Sequence, residues 1–568
     1  MSNTSFNHIQ SVWKRWMQLA ENQPESESII HWMAGMQPFR WTYSSLISKA
    51  NKYSNHFLNA GIKQGEVCAI ILRHNPELYP IYLGIAGIGA LPAVLAYPNP
   101  RLHPDKFRQG IVGMSQRSGL DWVLTDNELD LVIRPLITNK ESTIKDIIYP
   151  LDIFQNTPTI QFFEVENIRN NFNRNDPFLL QHSSGTTGLQ KPVLLSNRAV
   201  LDHIINYGNK LSLSGNDKIV SWLPLYHDMG LIAAFHLPLA FGIPSVQIDP
   251  FEWVLAPHLL LEAISRESGT ITLLPNFAYN VLADKIHDTW IEGINLESLR
   301  MVINCSEPIR HYSHKKFYDR YCKYGLKENA LSSSYAMAET TFAVTQNPPD
   351  QSIKEVIADR NYLAKGVVKL IDDEIEGRVC VSSGSLIDGC EIKIVDNNRQ
   401  KVKSSVVGEI AIKSVSMFDG YRNYPEKTAE VLNDGWYYSG DYGFEIGEDL
   451  YVIGRKKDII IVAGKNVYPE DIEDFVSQIG GVIPGRVIAF GEDNEDMGTE
   501  QISVIIETNY QDEADKNGLI KRVKQKAMEL DLTVSNIYLV PQKWLIKSSA
   551  GKPSRNANKQ RILEQKSK

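Results

Sequence analysis

Residues 182–192 read HSSGTTGLQKP and gather Ser183, Ser184, Gly185, Thr186, Thr187 and Gly188 ahead of Lys191. Glycines let backbone N–H groups converge on one oxyanion, hydroxyls donate further hydrogen bonds, and a lysine adds charge, so this composition suits phosphate. A Walker loop it is not. That pattern runs GxxxxGK and then Ser or Thr, so that a helix opens on the phosphates, whereas here Leu189 and Gln190 separate Gly188 from Lys191. A plain flexible turn is the alternative, set against six such residues in a row after the strand-like PFLLQHS.

Three further clusters could do chemistry. In SYAMAETT, residues 334–341, Tyr335 offers a flat face for a base, Glu339 a hard oxygen ligand of the kind Mg2+ accepts, and Thr340 a hydroxyl; the same string also reads as an ordinary helix start. YYSGDYG sets Asp441 in a tight Gly-flanked turn, where a carboxylate suits the two hydroxyls of a ribose, although Asp is also the default turn residue. Arg455 follows fourteen residues later. In SSAGKPSR, Lys552 sits in a loop of small residues that could deliver charge to a transition state. Alternatively it belongs to a solvated basic tail, since basic residues from Lys543 onward outnumber the single acid Glu564.

Residues so far apart need a fold to assemble them. A chain of 568 residues predicts two or more domains. In the N-terminal half, β-branched runs alternate with helical text: VCAIIL from Val67, DWVLTD from Asp121, KIVSWLP from Lys218, PSVQI from Pro244, TITLLP from Thr270 and LRMVINC from Leu299, with stretches such as HPDKFRQGIVGMSQRSG between. That alternation predicts parallel sheets covered by helices. After about Arg378, short strands joined by turn residues predict a β-rich subdomain, and the charged GRKKD segment that follows predicts a domain hinge.

Composition excludes several classes. Apolar content of 43% and charged content of 22% are ordinary for a globular protein. A net charge of -8 argues against a general nucleic-acid binder. The five scattered cysteines form no CxxC pair, which suits free thiols in a reducing cytoplasm. Near the N-terminus Ile9, Val12, Trp13, Trp16 and Leu19 share one face of an amphipathic, charged helix, unlike a signal peptide. The most apolar run, YLGIAGIGALPAVLAYP from Tyr82, is cut by Gly and Pro and reads as a buried helix entering a buried strand, not a membrane span.

Taken in order, the phosphate loop, Tyr335 with Glu339, Asp441, Arg455 and a Gly-Lys near the end resemble the adenylate-forming superfamily of acyl-CoA synthetases, peptide-synthetase adenylation domains and luciferases. The likeness runs from WTYSSLISKANKYSNHFLNAGIKQGEVCAIIL onward. It implies an α/β fold. A large N-terminal domain, 1–454, would hold two helix-covered sheets and the β-rich subdomain at about 378–454; a small mobile α+β domain, 455–568, would turn about Lys457. It further implies ATP and Mg2+ as cofactors. Ser183, Ser184, Gly185, Thr186, Thr187, Gly188 and Lys191 would hold the β- and γ-phosphates while a carboxylate attacks the α-phosphate. Ser306, Glu307 and Pro308 would line the adenine with Tyr335 stacked on it, Thr340 would lie beside the nucleotide, Glu339 would hold the metal, and Asp441 and Arg455 would take the ribose. His227 would lie by the acyl carboxylate, a structural histidine being the alternative, and Lys552 would bridge carboxylate and α-phosphate.

Within the superfamily, WLPLYHDMGLI, LPNFAYN, MAETTFAV and VAGKNVYPEDIE are similar to the fatty acyl-AMP ligases, which pass the acyl group to the phosphopantetheine arm of a carrier protein. KEVIADRNYLAKGVVKLIDDEIEGRVCVSSG resembles the insertion that braces the mobile domain in that branch; as chemistry it predicts a helix or hairpin against the body. The implied substrate is a fatty acid and the implied partner a stand-alone acyl carrier protein. An acyl- or aryl-CoA ligase of the same fold is the nearest alternative, and a non-catalytic nucleotide sensor one of another class. Two departures stand out: Pro192 stiffens the loop exit, and Ala336 replaces a usual Gly, predicting an altered acyl-chain preference.

Overall fold

The computed structural model describes residues 8–98, 103–155, 163–183, 190–374, 376–463, 465–494, 499–530, 532–547 and 553–566. Parallel strands form its centre. Leu331–Ala336, Met301–Asn304, Ile271–Leu274, Ile219–Ser221, Ser245–Ile248 and Glu27–Trp32 lie side by side in that order, all parallel, and their residues are almost all buried. Strands covered on both faces are largely apolar, as in ITLL and MVIN, while LSSSYA buries its three serines by donating their hydroxyls to backbone carbonyls. A second parallel sheet orders Leu91–Val94, Val67–Ile71, Leu120–Thr125 and Asp146–Ile148.

Helices cover the sheets as the periodicity predicts. Helix Val12–Asn22 starts where Ser11 accepts the Lys14 N–H, and it buries Val12, Trp13, Trp16 and Leu19. Burying one such side chain contributes roughly 1.5–3 kcal/mol. Helix Leu78–Ala86 is buried at every position and leads into the buried strand Leu91–Val94. Among the described residues no helix is long and apolar enough to cross a membrane.

The β-rich region proves to be joined to the central sheet instead of packing beside it. Antiparallel Ala343–Gln346 continues the parallel strands, Ser385–Leu386 pairs with it, and Asp449–Arg455, Trp436–Ile446, Gly408–Ser414 and Cys390–Val395 extend the same sheet outward. Backbone hydrogen bonds at Thr345 and Gln346 make this join, and a hydropathy pattern carries no record of which strand edges meet. The inserted segment forms both structures expected of it, a hairpin of Glu355–Asp359 with Gly377–Val381 and the short helix Arg360–Leu363.

The chain then forms a small α+β unit. Antiparallel Val482–Asn494 and Thr499–Thr508, with Val534–Pro541 parallel to the latter, carry helices Pro469–Ser477, Glu513–Met528 and Arg555–Lys566. Its own apolar cluster runs from Ile460 and Val467 to Ala527 and Val534. A separate small cluster puts Tyr468 of this unit against Leu363 and Cys380 of the insertion and Phe444, Tyr451 and Ile453 of the body.

Candidate active site

Strands Pro177–Ser183 and Lys191–Ser196 form an antiparallel ribbon in which Ser183 faces Lys191. Ser184, Gly185, Thr186, Thr187 and Gly188 lie outside the described residues. The chain leaves through one strand and returns through its partner, and helix Asn197–Lys210 begins only after the second strand, capped by Ser196. A Walker loop runs straight into its helix. Here Lys191 is placed by strand pairing, which frees the spacing between Gly188 and the lysine from the Walker rule.

Lys191 points at an acidic partner. Its Nζ lies 3.8 Å from Oε1 of Glu339 and donates to the hydroxyl of Tyr421 at 3.3 Å, while that hydroxyl donates to the same Glu339 oxygen at 2.6 Å. Burial pushes the Lys191 ammonium below its ordinary value, with Glu339 opposing. Glu339 is only 5% exposed and sits in the turn Ala338–Thr340, just beyond the strand bearing Tyr335. Its neighbour Thr340 gives its hydroxyl to the carbonyls of Met337 and Phe342, a local structural task. No group of three or more His, Cys, Asp or Glu that could enclose a metal exists among the described residues. A single buried carboxylate beside a lysine does fit Mg2+, which takes one or two protein carboxylates and fills its other positions with phosphate oxygens and water.

Asp441 is not in a turn. It lies within the long strand Trp436–Ile446, directly across from Arg455 in strand Asp449–Arg455. The spacing of fourteen residues is therefore a cross-strand register. Arg455 Nε lies 3.2 Å from Oδ1, the Tyr335 hydroxyl donates to Oδ2 at 2.8 Å, and the Asp441 carboxylate raises the guanidinium's pKa further. Both oxygens are held in place before any ligand arrives. The sheet brings the adenine-side residues to the same edge: Asn304 pairs with Ser333, so Ser306 and Tyr335 both lie at the C-terminal ends of neighbouring parallel strands. Crevices at such ends are where open α/β sheets bind ligands. Glu307 accepts the Phe277 N–H at 2.9 Å and so ties Pro308 and its neighbours to the LPNFAYN segment.

His227 is coupled to the phosphate hairpin through backbone. Gln181, two residues before Ser183, donates to the carbonyl of Tyr226 at 3.0 Å. The imidazole Nδ1 lies 2.7 Å from Asp228 Oδ1. Beside this loop Trp222 stacks on Trp253 with centroids 3.6 Å apart, and Phe277 meets both edge-on, forming a largely buried aromatic cluster.

Lys552 lies outside the described residues. Lys547 and Pro553, on either side of it, pair antiparallel. The Lys547 ammonium is pushed down to about 8, chiefly by burial, with Arg486 adding to the effect and Glu307 among the acids opposing it. Lys457 is also lowered to about 8, first by desolvation, with Arg455 and Lys191 adding to it and Asp458 and Asp441 opposing. The C-terminal unit is pinned by arginines. Arg310 of the body donates to the Glu470 carbonyl at 2.7 Å and Arg378 contacts Asp471 at 3.0 Å, while inside the unit Arg555 contacts Glu473 at 3.0 Å and Glu470 at 3.3 Å.

A family model described as AMP-binding enzyme matches residues 17–422. The chain belongs to the AMP-binding enzymes. Over 555 aligned residues it is 28% identical to the Mycobacterium tuberculosis protein named "Probable long-chain-fatty-acid--AMP ligase FadD30", covering 92% of each chain. A solved structure from a study of fatty acyl-adenylate ligases from E. coli and L. pneumophila superimposes with a TM-score of 0.88 at 23% identity, covering 99% of both chains. The crystal structure of a fatty acid AMP ligase from Legionella pneumophila aligns with a TM-score of 0.73 at 26% identity, covering 99% of this chain and 97% of that one.

In this AMP-binding enzyme the structure brings together Ser183, Lys191, Tyr335, Asp441 and Arg455 from five strands and Glu339 from the turn after one of them. Sequence reasoning missed Tyr421, which touches both Lys191 and Glu339, and Arg310, which ties the NCSEPIR segment to the C-terminal unit. Gly420 at φ +117° marked the spot, since a Gly before an aromatic in FDGYRNYPE signals a backbone bent for close approach.

Proposed function

We propose that this chain is an ATP-dependent, acid-adenylating ligase whose acid is a fatty acid, and that the acyl group then passes to the phosphopantetheine thiol of a stand-alone acyl carrier protein. The observation that carries the first half is that Glu339, beside Lys191, follows four residues after Tyr335, whose hydroxyl holds Asp441 opposite Arg455, so that a cation suited to polyphosphate and a carboxylate suited to ribose lie along one short segment. A carboxylate oxygen of the acid attacks the α-phosphorus, the bond to the β-phosphate bridging oxygen breaks, and pyrophosphate leaves. The carrier thiolate next attacks the acyl carbonyl carbon, and AMP departs with the bonding pair.

Residues 184–188 with Lys191 hold the β- and γ-phosphates in this reading, and Asp441 with Arg455 holds the ribose. Ser306, Glu307, Pro308 and Tyr335 flank the base, with Thr340 behind them. Mg2+, held by Glu339, would offset the charge of the departing pyrophosphate. His227 lies by the carboxylate, and Lys552 offsets the repulsion between two anions that must meet. Residues 1–454 act as the body and 455–568 as a cap that turns about Lys457 between the two half-reactions. The cytoplasm is the proposed compartment, supported by five cysteines that form no disulfide.

The carrier as acceptor is supported by the inserted hairpin, whose cluster with Tyr468 braces the cap, and the fatty acid by the likeness to the M. tuberculosis and L. pneumophila fatty-acid AMP ligases. Pyrophosphate exchange across fatty acids of increasing length and a few aromatic acids tests the first half-reaction. Mixing the preformed adenylate with holo-carrier or with CoA tests the second. Thioester on CoA alone would assign a CoA ligase, and absence of exchange with every acid would leave a nucleotide sensor.

A further inference from the structure

Residues 418–422 run alongside the strand that leaves the phosphate hairpin. Asp419 N–H donates to the Leu194 carbonyl, Leu194 N–H to Gly420, and Arg422 N–H to Pro192, at 2.9, 3.1 and 2.9 Å. Phe418 N–H donates to the carbonyl of Glu339 itself at 2.9 Å. One short segment is thus bonded through its backbone both to the lysine-bearing strand and to the acid. From it Tyr421, 3% exposed and packed edge-on against Phe418, places its hydroxyl between the two side chains.

A phenol has one proton to donate and lone pairs to accept with. The Tyr421 hydroxyl uses both capacities, donating to Glu339 Oε1 at 2.6 Å and accepting from Lys191 Nζ at 3.3 Å. Lysine and carboxylate stand 3.8 Å apart as a result. Charge-assisted N–H···O bonds close to about 2.7–2.9 Å when nothing intervenes. We propose that Tyr421 is a positioning residue for adenylation: its hydroxyl keeps Lys191 from closing onto Glu339, so that the lysine stays available to a nucleotide phosphate. This rests on Lys191 being a phosphate ligand.

Replacing the hydroxyl by hydrogen removes the spacer but leaves the ring. In the absence of nucleotide Lys191 then closes onto Glu339, and an incoming triphosphate must first break that pair. The test is calorimetric binding of ATP and of AMP in EDTA, with no metal and no turnover. Tyr421→Phe should bind ATP about tenfold more weakly, the ratio set by one charge-assisted hydrogen bond, and bind AMP, which lacks the β- and γ-phosphates, as the wild type does. Adding Glu339→Gln in the same chain should restore ATP affinity to within about twofold, because the lysine loses its competing anion.

Three results overturn the proposal: Tyr421→Phe binding ATP as the wild type does, ATP and AMP affinities falling together, or no recovery in the Tyr421→Phe, Glu339→Gln double variant. Lys191→Ala separates the underlying reading from the proposal. If Lys191→Ala binds ATP unchanged, the phosphate role of Lys191 is wrong; if it weakens ATP while Tyr421→Phe does not, only the role of Tyr421 is wrong.

Discussion

The hydroxyl of Tyr335 donates to the carboxylate of Asp441 across 2.8 Å, joining residues 106 positions apart. Arg455 holds the other oxygen from across the strand pair. The carboxylate proposed to grip the ribose is thereby fixed in advance, and less ordering entropy remains to be lost on binding. Asp441→Asn keeps the shape but removes the charge that Arg455 pairs with. Its AMP affinity should fall at least about tenfold, with a smaller loss for Tyr335→Phe, which removes a single hydrogen bond. Equal AMP affinity for Asp441→Asn and wild type, measured by calorimetry, would dismiss the ribose role.

Lys552→Ala should abolish adenylate formation yet spare ATP binding. The proposed transition state loses its cation while the ground-state nucleotide keeps its hairpin, a loss that appears in kcat and not in nucleotide affinity. Pyrophosphate exchange at saturating ATP, beside ATP affinity, distinguishes the two effects. Unchanged exchange would exclude Lys552 from the chemistry.

Glu473 gives the C-terminal unit a pH dependence. Burial, with Glu470 adding to it and Arg555 opposing, pushes its carboxyl up to about 7. The folded state therefore binds this proton more tightly than the unfolded chain, and stability falls as pH rises from the ordinary carboxyl range toward 7. Glu473→Gln should flatten that slope and raise the unfolding midpoint at pH 8. A steeper decline in the variant would contradict the assignment.

Asp217 is a purely structural acid. Nearly buried, it accepts from Arg300 at 2.7 and 3.1 Å, from the Ser214 N–H at 2.8 Å and from the Thr270 hydroxyl at 2.8 Å. Burial alone would raise its pKa, but these donors, Arg300 first, hold it below the usual value. Its contribution is present above the unfolded pKa and fades as pH drops through the folded one. Arg300→Met should cost about 3–5 kcal/mol in urea unfolding at pH 7, while a loss under about 1 kcal/mol would mean that the acid finds another partner.

Ala336, at the end of the Tyr335 strand, packs against the central core. Ala336→Gly removes a methyl beside the proposed acyl and adenine sites, and the profile of pyrophosphate exchange against acid chain length should shift toward bulkier acids. An identical profile would remove Ala336 from specificity.

Most of the parallel strands were legible because they are buried on both faces and written largely in apolar residues, as in VCAII and MVIN, whereas LSSSYA, with three buried serines, gives no such signal. Helix Val12–Asn22 was legible from its apolar periodicity, and the structure adds its Ser11 cap. Asp441 was misread as a turn residue because Gly440 and the surrounding tyrosines resemble a loop, whereas the pairing with Asp449–Arg455 makes a strand of them. Which edges join, and so the merging of the β-rich region with the central sheet, depends on hydrogen bonds between segments far apart in the chain.

By itself, the order of residues determined the α/β class, the phosphate-loop composition and the acidic and basic groups able to handle a nucleotide, because burial and charge are properties of side chains. Only the tertiary structure decided that Pro177–Ser183 pairs with Lys191–Ser196, that Asp441 and Arg455 are cross-strand partners, and that Tyr421 touches both Lys191 and Glu339. Those relations arise from strand register and from backbone contacts between distant segments, which no local pattern encodes.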